Sequence, residues 1–219
     1  GKIAAGASRG AARADTTQVQ HWSGQALGAH ATIALIGAPD DVAGQAFGAV
    51  LAEIRRLEAI FSLYDAESAL SRLNRHGRLA DPPADLLALL GAARAAHEAT
   101  GGLFDPTVQP LFDLYARHFA DANADPRGPS QTALDAALKR VGFEWVSVEE
   151  DEIGFRRTGM ALTLNGIAQG YITDRVAELL GARGFGNMLL DIGEIRAFGP
   201  GRDGKGWIVG IEGRDEQLR

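Results

Sequence analysis

Residues Thr163 to Asp174 read TLNGIAQGYITD. An apolar segment, Ala161–Leu164, runs into Asn165-Gly166. Four residues later Gly170 opens a helix that carries Tyr171 and Asp174 and continues to about Ala182, with Val176, Leu179 and Leu180 on one face. Glycines at 166 and 170 let a ligand come close to the backbone. The first amides of the helix suit a phosphate or pyrophosphate. The structural alternative is tight packing of a strand against a helix, and the stretch alone leaves both open.

Working outward, Gly184–Glu194 (GFGNMLLDIGE) repeats the theme. An apolar strand, Met188–Asp191, ends in a carboxylate and is followed by Gly193 and Glu194. Ile195–Phe198 and Trp207–Ile211 read as further strands. Upstream, Trp145–Val148, Ile153–Arg156 and Ala161–Leu164 read as three strands with tight connections. Ala26–Ile36 reads as the first strand, closed by Gly37 and Pro39. A helix capped by Asp40 or Asp41 carries Phe47, Val50, Leu51, Ile54, Leu57 and Phe61 on one face. Other helices are expected over Pro83–Ala99, stopped by Thr100-Gly101-Gly102, over Val108–Phe119 and over Thr132–Val141. Asp121–Ser130 is a loop by composition. Strands come in runs and helices come in runs, so the fold class is α+β rather than alternating βαβ.

Composition narrows the chemistry. The 219 residues suffice for one good-sized domain, and 46% are hydrophobic. The 22 basic and 28 acidic residues give a net charge of −6, which argues against a general nucleic-acid binder. There is no cysteine, hence no thiolate nucleophile and no cysteine metal site. No apolar run approaches the roughly 20 residues of a membrane span. The five histidines show no paired metal spacing, and no G-x-S-x-G elbow is present. Gly199–Gly204 satisfies G-x-G-x-x-G literally, but strand-like residues follow it where a dinucleotide fingerprint needs a helix. It is read as a hairpin loop. Gly1–Ala14 is small, basic and free of acids, and ends in the A-x-A pattern Ala12-Arg13-Ala14. That resembles the tail of a secretory signal, the alternative being a disordered leader.

Two further segments hold two readings each. Ser62–Asn74 (SLYDAESALSRLN) is a turn before a short helix capped by Ser68, or a ligand loop with Tyr64 offering a flat face. In Gly101–Pro110 (GGLFDPTVQP), Asp105 caps a helix with Pro106 in its first turn. The same geometry aims amides and a carboxylate at one spot.

Taken in order, ALGAHATI, FSLYDAESALSRLN, GGLFDPTVQP, LNGIAQGYITDRVAELL, LLDIGEIRAFG and GWIVGIEG resemble the ApbE family of FAD:protein FMN transferases. The spellings LNGIAQGY and DIGEIRA are most similar to the branch associated with nitrous oxide reductase maturation. The resemblance implies ApbE-like, T-fold-related antiparallel sheets with packed helices across residues 15–219. It implies that FAD is cleaved at its pyrophosphate, that FMN is joined through phosphate to a Thr or Ser of a target protein, and that AMP leaves, with Mg²⁺ required. FAD hydrolysis to FMN and AMP, and flavin binding without chemistry, are the alternative activities. The implied partner is an acceptor flavoprotein, a membrane-bound electron-transfer protein, and the implied location is the periplasm.

Site residues follow from the resemblance by motif. Leu27 stands where the family has a methionine over the flavin, and Tyr64 at an isoalloxazine-contacting position. Leu103, Phe104 and Asp105 match the nucleotide-contacting segment. Thr163 and Gln169 match FAD-contacting positions more often Asp and Lys, and Gln169 removes a charge partner for the pyrophosphate. Gly166 matches a position whose carbonyl contacts the metal. Asp174 is a polar site residue without an assigned role. The family's remaining metal ligands lie in a C-terminal segment, so residues 15–219 match a domain lacking its C-terminal part.

Overall fold

The computed structural model describes residues 18–26, 28–201 and 204–208. The leader and Leu27 lie outside them.

The described chain opens with a hairpin, not a single strand. β1 (Val19–Ala26) pairs antiparallel with β2 (Ala29–Ile36), from Val19 opposite Ile36 to Ala26 opposite Ala29. Ala26 therefore belongs to β1 and not to the strand expected over Ala26–Ile36. The polar sequence of Val19–Gln25 hides this strand, because it pairs through backbone while keeping one face wet. β2 then pairs with β6 (Met188–Asp191), and β6 with β7 (Ile195–Phe198), giving the order β1-β2-β6-β7. Ala31, Ile33 and Leu35 alternate into the core, as the two-residue period requires.

α1 (Asp40–Phe61) and α6 (Ala168–Ala182) pack against each other, and each also meets the sheet. α1 buries Ala43, Ala46, Val50, Ile54, Leu57 and Phe61, a stripe at three- and four-residue spacing. α3 (Ala84–Ala99) rests on α1 and buries Leu86, Leu89, Leu90 and Ala93. α4 (Gln109–Phe119) and α5 (Gln131–Leu138) pack on each other.

A second, three-stranded antiparallel sheet has the order β3-β5-β4, from β3 (Arg78–Ala80), β4 (Val146–Val148) and β5 (Glu152–Phe155). Leu79, Val146 and Ile153 join the same core as the larger sheet. α2 (Ala69–His76) packs on α1 and β3, and it bears out the capped-helix reading of Ser62–Asn74. Ser68 is its cap: Oγ accepts from the Ser71 amide at 3.0 Å and donates to the Ser62 carbonyl at 2.5 Å.

One expected strand is absent among the described residues, and another is described only at its first two positions. Ala161–Leu164 pairs with no strand. The Asn74 side chain replaces a ladder: its amide donates to the Leu162 carbonyl at 2.8 Å and its oxygen accepts the Leu162 amide at 2.7 Å. Trp207 and Ile208 form no strand either, and Val209–Ile211 lie outside the described residues. Trp207 Nε1 donates to the Phe198 carbonyl at 3.1 Å, and Ile208 is almost fully exposed. No helix follows Gly204 within the described residues.

Candidate functional site

Three loops converge at one end of the four-stranded sheet. The first runs from the end of α3 into α4. Gly102 donates its amide to the His97 carbonyl at 2.8 Å, so the chain turns back over the helix end. The Phe104 backbone is then pinned at both atoms. Its amide donates to Thr100 Oγ1 at 3.0 Å, and its carbonyl lies 2.7 Å from His97 Nδ1. A carbonyl can only accept, so Nδ1 carries the imidazole proton in this contact. Asp105 Oδ1 caps the 3₁₀ turn Pro106–Val108, accepting from the Thr107 amide at 2.8 Å and Thr107 Oγ1 at 2.6 Å. Asp105 Oδ2 points toward His97 Nδ1 at 4.0 Å.

The second loop is Thr163–Ile167, leading into α6. It is tied to the first where the Thr163 amide donates to the Pro106 carbonyl at 2.8 Å. Gly166 faces Phe104: a Cβ at 166 would stand 3.3 Å from Phe104 Cε2. No side chain caps α6. The Ile167 and Ala168 amides both donate to the Leu164 carbonyl, at 2.9 and 2.8 Å, which leaves the amides of Gln169 and Gly170 for an anion.

The third loop follows β6. Gly193 has φ +82°, a conformation that favours glycine, and the end of the Gln169 side chain lies against it, with Cδ 2.5 Å from where a Cβ would stand. Across the gap, Gly170 faces Glu194. The register Thr32 opposite Asp191 sets this loop at the Ala29 end of β2, beside the β1–β2 turn. Tyr64 lies at the same turn, 82% exposed, in a hollow shared with Gly28, Arg55 and Glu58.

The structure thus gathers Phe104, Asp105, Thr163, Gly166 and Gln169. Leu103 is 92% exposed and takes no part in their packing. Asp174 is committed elsewhere, in an ion pair with Arg196 of β7 at 2.6 Å. Among the described residues no three His, Asp or Glu side chains stand together as a metal cage.

Sequence reasoning missed the polar cluster that anchors α6. Tyr171 lays its ring edge-on to Phe61, with centroids 5.6 Å apart, and donates its hydroxyl to Asp85 Oδ1 at 2.7 Å. Arg56 bridges Asp85 at 2.6 Å and Glu53 at 2.7 and 2.8 Å. Arg175 Nε is buried without a hydrogen bond, 3.8 Å from Asp85 and 4.0 Å from Glu53, and feels their charge only. The hydrogen bond from Arg56 leads in holding the Glu53 carboxyl below its ordinary value. Burial pulls Asp85 upward, but hydrogen bonds from Arg56 and Tyr171 outweigh it and the net shift is down. Burial, then the bond to Asp85, pushes the Tyr171 phenol up to about 12.

The signs give an acid and an alkaline edge. Depressed carboxyls contribute stability above their unfolded values of about 4, and it is lost as pH falls through the lower folded values. The raised phenol contributes stability below about pH 10 that is lost as pH rises through about 12. Asp85→Asn is therefore expected to flatten the fall in melting temperature between about pH 5 and pH 3. An unchanged acid limb would remove Asp85 from the account.

Two antiparallel sheets and helices on a shared core define an α+β protein, with glycine turns meeting at the start of α6. The comparisons with known proteins agree with that class and sharpen it. The ApbE family profile matches residues 27–218, and the chain belongs to the ApbE family. A Vibrio cholerae protein named FAD:protein FMN transferase is 32% identical over 155 residues, 69% of this chain and 46% of that protein. A Haemophilus influenzae protein of the same name is 28% identical over 167 residues, 73% of this chain and 48% of that protein. The chain therefore spans about half the length of the curated relatives it matches. Among solved structures, the flavin transferase ApbE from Vibrio cholerae superposes with a TM-score of 0.80 at 28% identity, covering 89% of this chain and 64% of that one. The apo Pseudomonas stutzeri flavinyl transferase ApbE gives 0.78 at 26% identity, covering 89% and 62%.

Proposed function

We propose that this chain carries the FAD-holding part of an FAD:protein FMN transferase. The observation that carries the reading is the meeting of Phe104, Gly166 and the Gln169–Gly193 contact at the uncapped start of α6. The aromatic ring offers a flat apolar wall, and the Gln169 and Gly170 amides at the helix start are offered to a pyrophosphate. In the reaction a Thr or Ser hydroxyl of the acceptor attacks the phosphorus on the FMN side. The bond to the AMP phosphate breaks, AMP leaves with the electron pair, and the hydroxyl proton is lost. Gln169, a neutral donor, orients phosphate oxygens without adding charge.

Magnesium, if bound, would neutralise charge on the pyrophosphate. The Gly166 carbonyl is the ligand we assign it. We place the acceptor among membrane-bound electron-transfer proteins and the reaction in the periplasm. The A-x-A pattern at Ala12–Ala14 supports export. No helix among the described residues is long and apolar enough to cross a membrane.

The test incubates the full-length protein with FAD, Mg²⁺ and an acceptor domain bearing an accessible Thr. A fluorescent covalent adduct and free AMP are expected, and EDTA is expected to stop both. FMN and AMP without adduct would make the protein a pyrophosphatase. Intact FAD would make it a carrier.

A further inference from the structure

The second sheet carries a cleft outside the three-loop site. Leu79, Val146 and Ile153 turn into the core. Register sets Arg78 of β3, Gly154 of β5 and Ser147 of β4 in one row, and all three line the cleft. Gly154 makes the middle of that row low: a Cβ there would stand 3.2 Å from Ser147 Oγ. Its φ is outside the left-handed range, so the backbone does not demand glycine. The missing side chain is what opens the trough.

The cleft encloses about 590 Å³ and is lined by Arg75, His76, Arg78, Arg156 and Arg157 with one carboxylate, Glu152, in the lining, while Arg75 also donates to the Ala66 carbonyl and lies 3.9 Å from Glu67 outside it. This basic surface sits on a chain of net charge −6. Arg78 pairs with Glu152. Arg157 lies over the Trp145 ring at 3.6 Å and donates to the Lys139 carbonyl at 3.2 Å, which holds its guanidinium in place. Arg156 is exposed, and no side-chain partner holds it among the described residues. We infer that this cleft is a docking site for an acidic segment of a partner protein.

The chemistry selects that occupant. An exposed guanidinium gains less than about 1 kcal/mol from one carboxylate in water, so a lone small anion gains little here. A segment bearing successive carboxylates engages several arginines after one ordering cost. Nucleic acid fits less well. The chain's overall negative charge repels a long polyanion beyond the cleft, Arg157 covers the Trp145 face, and Phe155 is the one aromatic side chain in the lining, where successive bases need several. The cleft also has a defined neighbour. Met160 is among its lining residues, and Thr163 of the α6 turn follows within roughly 11 Å of chain. On the transferase reading, a partner docked here is held beside the flavin turn.

The test needs no flavin and no transfer, so its outcome is separate from that reading. Binding of a fluorescein-labelled oligoglutamate peptide to the full chain is followed by anisotropy. Binding is expected at about 20 mM NaCl and is expected to weaken about tenfold at about 200 mM. Arg156→Glu with Arg157→Glu is expected to weaken it by a further factor of about ten. Glu152→Gln removes the lining carboxylate and is expected to tighten binding, a result that misfolding cannot imitate. Absent binding, or affinity indifferent to all three substitutions, overturns the inference. So does a labelled oligothymidylate that binds more tightly through the same arginines.

Discussion

Thr107→Val is expected to lower the unfolding free energy by about 2–4 kcal/mol, since it deletes two buried hydrogen bonds while keeping the shape. Thr107 is fully buried. Its Oγ1 donates to the Asp105 carboxylate at 2.6 Å and accepts the Gly142 amide at 2.7 Å. Valine fills the same volume, but leaves the Gly142 amide without an acceptor and Asp105 with only the Thr107 amide. An unpaired buried amide loses its hydration without compensation. Urea unfolding should show a lower midpoint with an unchanged slope. Thr107→Ser, which keeps the hydroxyl, should recover most of the loss. A loss below about 0.5 kcal/mol would mean that the hydroxyl is not the joint between the Asp105 loop and Gly142.

Gly166→Val is expected to weaken FAD binding about tenfold or more while disturbing stability less. The added Cβ would press on Phe104 at 3.3 Å, and the branch brings two more methyl groups. Phe104 has little room to yield, because Thr100 and His97 hold its backbone at both atoms. Overpacking of this kind costs about 1–3 kcal/mol, and 1.4 kcal/mol is a factor of about ten in affinity. Gly166 is exposed in the free protein, so part of that strain relaxes toward solvent until a ligand closes the seam. Quenching of flavin fluorescence on titration with FAD measures the affinity. Unchanged affinity would show that the nucleotide does not use the Phe104–Gly166 seam.

Local pattern carries some parts of the fold and not others. The stripe from Val50 to Phe61 marks α1 because burial repeats with the helical turn. The run Met188–Asp191 marks β6 because it is apolar, short and bounded by Gly186 and Gly193. β1 is hidden by its polar residues. The strand expected over Ala161–Leu164 fails for a physical reason. Met160, Leu162 and Leu164 alternate into the core as a strand would, but the Leu162 backbone is served by a side chain 88 residues away, and no local pattern announces that.

The site divides the same way. Each glycine turn is legible singly, and so is the capping role of Asp105. Which turn meets which is not. Gly193 against Gln169 and Gly166 against Phe104 are products of strand order and helix packing. The anchor of α6 is invisible in sequence for the same reason, since Tyr171 and Asp85 are 86 residues apart and Arg56 and Asp85 are 29 apart.

The two hydrogen bonds between Asn74 and Leu162 bear on how the molecule can be dissected. They fasten the end of α2 to the segment that enters the α6 turn, closing a loop that contains α3, α4, α5 and the whole of the second sheet. No fragment ending inside that loop keeps both partners. The turn into α6 is therefore not a portable module that travels with the helix, but a property of the closed chain, gained and lost cooperatively with it.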